Sequence, residues 1–221
     1  MRRLILLRHG ETDFNADRRM QGQLDTELTD LGRAQAVAVA GRLATLGPLL
    51  IVSSDLRRAR DTATTLAGQI GQPVRTDRRL REMHLGDWQG LTEYEIDVTA
   101  PGARSMWQDR PTWALHGGES RVDVAKRALP LVDELVTGQT DWGVDEPDRP
   151  IILVAHNALI AALTAALLGL PVEHWPALGG LSNASWVQLS GRPASPAADI
   201  GNIRWRLDVW NATARTGTDV T

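Results

Sequence analysis

Histidine and arginine side chains stand just after three apolar runs of the chain, a position that suits them for binding an anion. Arg8 and His9 follow the first run, Arg57 and Arg58 come shortly after the second, and His156 comes shortly after the third. The planar guanidinium group of arginine matches the oxygen geometry of phosphate. The sequence therefore favours a phosphate-bearing ligand for this group of residues.

A histidine held among arginines can also do chemistry on such a ligand. The neutral imidazole of His9 can attack phosphorus, which divides the hydrolysis of a phosphate ester into formation and breakdown of a covalent intermediate. The arginines would neutralise charge on the phosphoryl oxygens. An alkoxide leaves poorly unless it is protonated, so a general acid is also required. Glu82, in the glycine-punctuated segment 80–90, is the best candidate for this acid.

The three apolar runs predict strands that are buried on both faces. They occupy residues 4–7, 49–52 and 151–154. Apolar residues at helical spacing predict helices over about 30–43, 56–70, 120–135 and 158–168, the second of them capped by Ser53, Ser54 or Asp55. This alternation predicts an α/β fold with three layers, αβα, and a mostly parallel central sheet flanked by helices. Ligands bind at the carboxyl ends of strands in such sheets, so the histidines and arginines are expected at one edge.

The remaining segments extend this architecture without dividing it. Alternating patterns at 184–189 and 203–209 predict two more strands, whereas residues 97–118, rich in Pro, Gly and Trp, predict an irregular or helical insertion. No convincing linker is present, so residues 1–221 are expected to form a single domain. The chain has eight tryptophans, which either anchor loops on the core or wall a ligand pocket.

Composition argues against several classes of protein. The 221 residues contain no cysteine, which excludes disulfides, cysteine-ligated metals and a cysteine nucleophile. The net charge of −3, from 24 Lys and Arg against 27 Asp and Glu, argues against binding to nucleic acid or to a membrane surface. The first apolar run is too short for a signal peptide, and the run at 158–170 is too short to span a membrane. We therefore expect a cytoplasmic protein with neither nucleic acid nor membrane as a partner.

The residues described so far belong to longer motifs. In chain order these motifs are Leu7-Arg8-His9-Gly10-Glu11-Thr12 followed by Asn15, the block at 53–59, the segment 80–90, Gly117-Gly118-Glu119-Ser120 and Val154-Ala155-His156. Together they resemble the histidine phosphatase superfamily, also called the phosphoglycerate mutase-like family. The resemblance spans nearly the whole chain and implies the phosphoglycerate mutase-like fold.

The resemblance also implies a role for each residue that could do chemistry. It implies that His9 is phosphorylated during turnover, that Asn15 assists, and that Glu82 donates and then accepts a proton. The residues implied to hold the phosphoryl group are Arg8, Arg58 and His156. The Arg-Ala pair of the family motif places one of these roles on Arg58 rather than on Arg57. No metal or organic cofactor is implied, and a homodimer is expected.

Substrate contacts beyond the phosphate are expected from a second set of residues, namely Gln21, Gly22, Gln23, His84 and Asn157. Asn157 stands where the family usually has glycine. Its side chain is expected to narrow the pocket or to touch the substrate. Asparagine is also the residue that best replaces glycine where a positive φ is needed.

Further similarity within the family implies hydrolysis of a small molecule, a phosphorylated sugar acid. The segments that carry this similarity are 20–28, 84–92, 116–125, 175–180 and 204–211. Residue chemistry alone implies only a phosphate monoester, so a broad-specificity acid phosphatase and a phosphoglycerate mutase stay open as alternatives. A phosphate-ligand sensor without turnover is a third alternative, suggested only by the asparagine that replaces the usual glycine.

Overall fold

The three predicted apolar strands form the centre of a six-stranded sheet in the computed structural model, which describes residues 1–144, 148–193 and 202–214. The strands are β1 (Arg2–Arg8), β2 (Leu50–Ser53), β3 (Val74–Thr76), β4 (Ile151–Ala155), β5 (Trp186–Pro193) and β6 (Ile203–Ala212). Their order in the sheet is β3-β2-β4-β1-β5-β6. The first four strands run parallel, β5 is antiparallel to β1, and β6 is antiparallel to β5. The sheet is therefore mixed but mostly parallel, as predicted.

Helices cover both faces of this sheet. They are α1 (Asp13–Ala16), α2 (Asp30–Ala44), α3 (Arg57–Ile70), α4 (Glu93–Thr99), α5 (Ala103–Asp109), α6 (Arg121–Gly138) and α7 (Asn157–Leu167). Because side chains alternate along a strand, Leu4 and Leu6 of β1 pack with α6 and α7, whereas Ile5 and Leu7 pack with α2 and α3. The three-layer αβα arrangement is therefore confirmed.

Local sequence signals begin two of the long helices. Thr29 caps α2, and its hydroxyl accepts a hydrogen bond from the backbone N–H of Gly32 at 2.9 Å. Ser120 caps α6 in a capping box with Asp123, in which each side chain accepts from the backbone N–H of the other residue. These contacts satisfy N–H groups that the first turn of a helix leaves without partners.

The prediction that Ser53, Ser54 or Asp55 caps α3 is wrong. The N-cap is Leu56, which makes no side-chain capping hydrogen bond. The polar side chains before it are engaged elsewhere, since Ser53 Oγ donates to the carbonyl of Ser54 at 2.8 Å and Asp55 forms an ion pair with Arg81 at 2.6 Å. The side chains of Ser53 and Asp55 therefore make contacts at the edge of the sheet instead of capping α3.

The carboxyl ends of β1, β2 and β4 lie side by side. Arg8 is in register with Ala155 across β1 and β4, and Ser53 is in register with Val154 across β2 and β4. The residues that follow these three strands consequently reach the same edge of the sheet. This is the edge at which ligands bind in open α/β sheets.

Three features differ from the predicted elements. The short edge strand β3 was not predicted, because Val74–Thr76 holds a single apolar residue. Strands β5 and β6 extend beyond the alternating segments that predicted them. Residues 97–118 contain the end of α4 and all of α5, so this insertion is partly helical. Among the helices that the structure describes, none is long and apolar enough to cross a membrane.

Candidate active site

The two strand-end histidines lie together. Their ring centroids are 5.1 Å apart and their planes are tilted by 59°. His9 is 3% exposed and His156 is fully buried at 0%. Arg58, itself buried, lies against His9, and its Nε donates a hydrogen bond to His9 Nε2 at 3.2 Å. The edge of the sheet therefore holds two imidazoles and a guanidinium group shielded from water.

The hydrogen bonds of His9 determine which ring nitrogen carries its proton. Nδ1 lies 2.6 Å from the carbonyl oxygen of Gly10, which can only accept a hydrogen bond. The proton of the neutral ring is therefore on Nδ1, and Nε2 keeps its lone pair. The donation from Arg58 Nε to Nε2 agrees with this assignment. Of the two ring nitrogens, Nε2 is thus the one with a free electron pair at the cluster of cations.

Burial and nearby cations keep both imidazoles neutral. Burial lowers the pKa of His9 well below its usual value, and the charges of Arg58 and Arg8 lower it further. Burial is also the main reason that the pKa of His156 is lowered well below its usual value, with Arg58 as the next cause. Burial lowers the pKa of Arg58 to about 10, so this group stays charged at neutral pH. The site thus combines neutral imidazole with a retained guanidinium charge.

These lowered pKa values predict that the protein loses stability as the pH falls below the usual histidine pKa of 6.5. The unfolded chain takes up protons on both histidines, whereas the folded chain resists protonation until the pH is much lower. We expect the free energy of unfolding to fall by about 2 kcal/mol between pH 7 and pH 5.5, about 1 kcal/mol for each histidine. Urea unfolding at the two pH values measures this difference. His156→Gln is expected to halve it, and a stability that does not change with pH would contradict the assignment.

Backbone carbonyls hold the guanidinium of Arg58 in place. Its Nη1 donates to the carbonyl of Leu24 at 2.7 Å, and its Nη2 donates to the carbonyl of Gly22 at 2.9 Å. Arg57 lies outside this cluster, because its side chain forms an ion pair with Glu27 at 2.7 Å. The structure therefore places Arg58, and not Arg57, beside the histidines.

Arg8 brings a second, half-buried cation to the same place. Its Nη1 donates to the carbonyl of Leu181, while its buried Nε has no hydrogen-bond partner in the part of the chain that the structure describes. Burial lowers the pKa of Arg8, and the carboxylate of Glu82 opposes that shift. An N–H donor that is buried without a partner is costly unless a ligand accepts from it. Arg8 is therefore suited to an anionic oxygen bound in the cavity.

Ser54 positions the ring of His156. Its Oγ lies 2.9 Å from His156 Nε2, and it also accepts a hydrogen bond from the backbone N–H of Leu56 at 3.3 Å. Within the described residues, the buried Nδ1 of His156 has no hydrogen-bond partner. One ring nitrogen is thus fixed by the protein, whereas the other is buried without a hydrogen-bond partner among the described residues.

Glu82 reaches the site from a loop rather than from the end of a strand. Its Oε1 accepts hydrogen bonds from the backbone N–H groups of Met83 at 2.8 Å and Leu159 at 3.2 Å. Its Oε2 accepts from the backbone N–H of Ala158 at 3.3 Å. Two of these donors belong to the first turn of α7, which begins directly after His156. The start of α7 therefore fixes the carboxyl group relative to the second histidine.

A half-buried network of polar contacts fixes the loop that carries Glu82. Arg127 on α6 donates to the carbonyls of Arg79, Arg81 and Glu82 at 2.7, 3.1 and 3.3 Å. Its guanidinium also forms an ion pair with Glu119 at 2.8 Å. The carbonyl of Glu82 additionally accepts from the side chain of Gln23 at 3.0 Å. The acid is consequently positioned from both ends of its residue, by its backbone and by its carboxyl group.

Asn15 lies in the cavity and is oriented by its neighbours. Its Oδ1 accepts hydrogen bonds from the N–H of Thr12 at 3.2 Å and from the amide of Asn183 at 2.9 Å. Because the side-chain oxygen is used in this way, the NH₂ group of Asn15 is the end presented to a ligand. Ala184 adds to the same corner, since its N–H donates to the carbonyl of His9 at 3.0 Å.

A cavity lies among these residues, and its described lining contains His9 but not the buried His156. Its polar lining includes Arg8, His9, Asn15, Arg58 and Glu82. Its apolar lining, which we call the apolar wall, consists of Met20, Met83, Leu85 and Trp107. Across the described ranges, no group of three or more potential metal ligands occurs among His, Cys, Asp and Glu side chains. The cavity therefore offers a site for an anionic head group and a surface for a larger attached group.

The expected substrate-binding residues divide into two groups. Gln21, Gly22 and Asn157 line the cavity, although both amide ends of Gln21 are used within the protein, by Thr12 and Thr26. The structure places two others outside the lining, where they support the loop of the acid. Gln23 bonds to the backbone of that loop, and His84 Nδ1 accepts from the N–H of Gly86 at 3.2 Å.

Asn157 does not occupy a position that requires a positive φ. It is the first residue of α7, and the described residues other than glycine with positive φ are Arg18, Ala184 and Asn211. Its Oδ1 accepts a hydrogen bond from the backbone N–H of Leu181 at 2.8 Å. The same residue, Leu181, receives the hydrogen bond of Arg8. The side chain that replaces glycine thus braces the segment against which Arg8 packs.

Sequence reasoning missed Asn183, Arg127 and Arg19 as parts of this site. The first two contact site residues through backbone or side-chain groups that are distant in the chain. Arg19 lines the cavity, and its position four residues after Asn15 was the available signal. Trp107 is the tryptophan that lines the cavity, whereas Trp142 is buried at 1% exposure. Both predicted roles for tryptophan are therefore present.

Known proteins share this sequence and this fold. Residues 4–211 match the profile of the histidine phosphatase superfamily (branch 1). The chain is 66% identical over 222 residues to glucosyl-3-phosphoglycerate phosphatase of Mycolicibacterium vanbaalenii, covering 100% of this chain and 99% of the relative. It is 66% identical over 220 residues to the Mycobacterium tuberculosis protein of the same name, covering 99% and 98%. A solved mycobacterial glucosyl-3-phosphoglycerate phosphatase in complex with VO3 is 65% identical, with a TM-score of 0.93 over 96% of this chain and 100% of that one.

Proposed function

The chain belongs to the histidine phosphatase superfamily, and we propose that it hydrolyses glucosyl-3-phosphoglycerate to glucosylglycerate and phosphate through a phosphohistidine on His9. The observation that carries this proposal is the state of His9. Its neutral ring is protonated on Nδ1, and its Nε2 lone pair lies 3.2 Å from Arg58 Nε. An imidazole nitrogen that keeps its lone pair beside the guanidinium groups of Arg58 and Arg8 suits attack on a phosphoryl group.

In the first step, His9 Nε2 attacks phosphorus and the bond from phosphorus to the ester oxygen breaks. Glu82 transfers its proton to the departing oxygen, so glucosylglycerate leaves as an alcohol. Arg8 and Arg58, together with the NH₂ group of Asn15, stabilise the charge on the other phosphoryl oxygens. Arg58 exchanges its hydrogen bond with the His9 nitrogen for one with a phosphoryl oxygen as the new bond forms.

In the second step, water attacks the phosphorus of phosphohistidine. Glu82, now a carboxylate, accepts the proton of that water, and the bond between phosphorus and His9 Nε2 breaks. Phosphate leaves, and both the neutral imidazole and the protonated acid are restored. His156, whose Nε2 lies 2.9 Å from Ser54 Oγ, offers its other ring nitrogen to a phosphoryl oxygen during both steps.

Two observations support a substrate larger than phosphate itself. The apolar wall gives the cavity a surface on which one face of a sugar ring can pack, as sugars do on tryptophan. The relatives named above share 66% of their residues with this chain over nearly their whole length. Residue chemistry therefore supports a phosphate monoester, and the similarity supports an additional sugar group on it.

Three finer points belong to the same proposal. The reaction would supply glucosylglycerate for the biosynthesis of methylglucose lipopolysaccharide, the protein would act in the cytoplasm, and it would act as a homodimer. The support for all three is the motif resemblance to the mycobacterial enzymes. Light scattering on the purified protein tests the dimer, and loss of glucosylglycerate in a strain without the gene tests the pathway.

The substrate proposal predicts strong preference within a small panel of phosphate esters. The panel consists of glucosyl-3-phosphoglycerate, mannosyl-3-phosphoglycerate, 3-phosphoglycerate and p-nitrophenyl phosphate. We expect kcat/KM for the glucosyl compound to exceed that of 3-phosphoglycerate by about 10²-fold, because binding to the sugar contributes about 3 kcal/mol to transition-state stabilisation. We also expect it to exceed the values for the mannosyl epimer and for p-nitrophenyl phosphate. Phosphate release under initial-rate conditions measures these ratios.

Three outcomes would contradict the assignment in different ways. Similar, weak activity on all four esters would remove the glucosyl substrate and favour a broad-specificity acid phosphatase. Interconversion of 2- and 3-phosphoglycerate, followed by phosphorus NMR, would favour a phosphoglycerate mutase. Absence of phosphate release from every ester would favour a sensor without turnover.

A further inference from the structure

Arg19 is a third arginine at the cavity, and it differs from the other two. Arg58 is buried against His9 and Arg8 is half-buried, whereas the side chain of Arg19 is 38% exposed. Arg19 also lies on the same stretch of chain as Met20, which belongs to the apolar wall. Arg19 is therefore a more exposed cation of the same lining, and it precedes a residue of the apolar wall in the chain.

Backbone contacts fix the position of Arg19. Its main chain forms an isolated antiparallel bridge with Thr92. Its Nη1 donates to the carbonyl of Gly90 at 2.9 Å, so the guanidinium is anchored by one of its ends. The neighbouring Met20 pairs with the same loop, since its N–H donates to the carbonyl of Leu91 at 2.9 Å. A charge that is held in place before the ligand arrives binds it with less loss of conformational freedom.

The acidic side chain near Arg19 is already used by a helix. Glu95 Oε2 lies 3.6 Å from Arg19 Nη1, a long ion pair between two half-exposed groups. The same oxygen accepts hydrogen bonds from the N–H and the hydroxyl of Thr92 at 2.7 and 2.9 Å, which form the capping box of α4. Glu95 therefore satisfies the start of α4 and neutralises Arg19 only in part.

The charges around the cavity leave room for a second anionic group. Three arginines line it, with Glu82 as the single acidic side chain in the described lining. Glu82 is protonated in the first step of the proposed reaction, so the cavity then presents three positive charges. A phosphate monoester supplies about two negative charges near neutral pH. One positive charge, on the half-exposed Arg19, is left for another anion on the same molecule.

We propose that Arg19 binds the carboxylate of the substrate and so selects phosphorylated hydroxy acids over uncharged phosphate esters. This proposal rests on the proposed function, because it assumes that the phosphate of the substrate lies against His9. Arginine suits this role because its planar fork can donate to both oxygens of a carboxylate. Arg19 is in this respect a specificity-determining residue, while the chemical steps belong to the residues around His9.

The test compares ligands that differ only in the carboxylate. Glucosyl-3-phosphoglycerate is paired with glucosylglycerol 3-phosphate, which has a hydroxymethyl group in its place. Hydrolysis of the two is measured for the wild type, Arg19→Gln and Arg19→Lys. In Arg19→Gln we expect KM for the carboxylate substrate to rise about tenfold, with kcat within about threefold and KM for glucosylglycerol 3-phosphate unchanged. Arg19→Lys keeps the charge but not the planar fork. We expect its KM for the carboxylate substrate to lie between those of the wild type and Arg19→Gln.

Arg33→Gln is the matched control, since it removes an exposed positive charge on α2 outside this cavity. It should leave both KM values unchanged, which separates direct binding from long-range attraction. The proposal is overturned if Arg19→Gln weakens both substrates equally, because that result indicates a structural role. It is equally overturned if neither KM moves.

A second ligand pair keeps this test separate from the identity of the substrate. 3-Phosphoglycerate and glycerol 3-phosphate differ by the same carboxylate and carry no sugar. Both are measured as competitive inhibitors of p-nitrophenyl phosphate hydrolysis, and Arg19→Gln is expected to raise only the inhibition constant of 3-phosphoglycerate. If this shift occurs although the glucosyl compound is not hydrolysed, the substrate proposal fails and the carboxylate subsite stands. If the glucosyl compound is preferred but this shift is absent, the carboxylate subsite fails alone.

Discussion

His9→Ala is expected to lower phosphate release from glucosyl-3-phosphoglycerate by about 10⁴-fold or more, the size of loss that follows removal of a nucleophile. The variant lacks the Nε2 lone pair that forms the bond to phosphorus, while Arg8 and Arg58 keep their backbone anchors. Ligand binding should therefore survive. We expect the dissociation constant of inorganic phosphate to change by less than about tenfold, measured by calorimetry beside single-turnover kinetics.

The matched control for this variant is His174→Ala, which removes an exposed histidine on the 3₁₀ turn Val172–Ala177. It should keep full activity. Mass spectrometry of wild-type enzyme mixed with substrate at neutral pH should show a phosphoryl group on His9, and His9→Ala should show none. Turnover of the variant within tenfold of the wild type would contradict a phosphohistidine mechanism.

Glu82→Gln is expected to lower kcat for glucosyl-3-phosphoglycerate by about 10³-fold, within the range for loss of general acid–base catalysis. Glutamine keeps an oxygen for the N–H groups of Met83 and Leu159 but has no proton to transfer. The effect should depend on the leaving group. p-Nitrophenolate leaves without protonation, so the phosphorylation of His9 by p-nitrophenyl phosphate should slow far less than its reaction with an alkyl phosphate.

Rapid mixing of Glu82→Gln with p-nitrophenyl phosphate separates the two steps. We expect a burst of p-nitrophenol equal to the enzyme concentration, followed by slow turnover, because the same residue activates the water that breaks down phosphohistidine. Glu173→Gln, at an exposed position away from the cavity, is the control and should show normal turnover. Equal slowing of the alkyl and nitrophenyl esters in the burst phase would exclude Glu82 as the general acid.

Residues that follow central strands could be placed from the sequence alone. The apolar runs before His9 and His156 predict buried parallel strands, and the carboxyl ends of such strands share an edge. Nothing else was needed to bring these two histidines together, and the structure places their rings 5.1 Å apart. Arg58 could be placed at the same edge by the same reasoning, because α3 begins shortly after β2.

Residues that reach the site from loops were beyond that reasoning. Glu82 is identified by motif and not by periodicity, because its position depends on Arg127 and on the first turn of α7. Those contacts join segments 45 and 76 or more residues apart. A hydrophobic pattern describes which face of an element is buried, and it carries no information about such polar long-range contacts. Arg19 and Asn183 escaped prediction for the same reason.

The polar and the apolar lining of the cavity come from different parts of the fold, and this difference bears on how new specificities arise. The groups that would perform the chemistry follow the central strands or, like Glu82, lie on a loop that Arg127 and the first turn of α7 hold in place. The apolar wall is built from loops and from α5, which lies in the insertion at 97–118. Mutation can therefore remodel the surface that meets the rest of the substrate while the reaction centre stays intact. A mutation in the apolar wall can thus change which substrates bind without replacing a residue that performs the reaction.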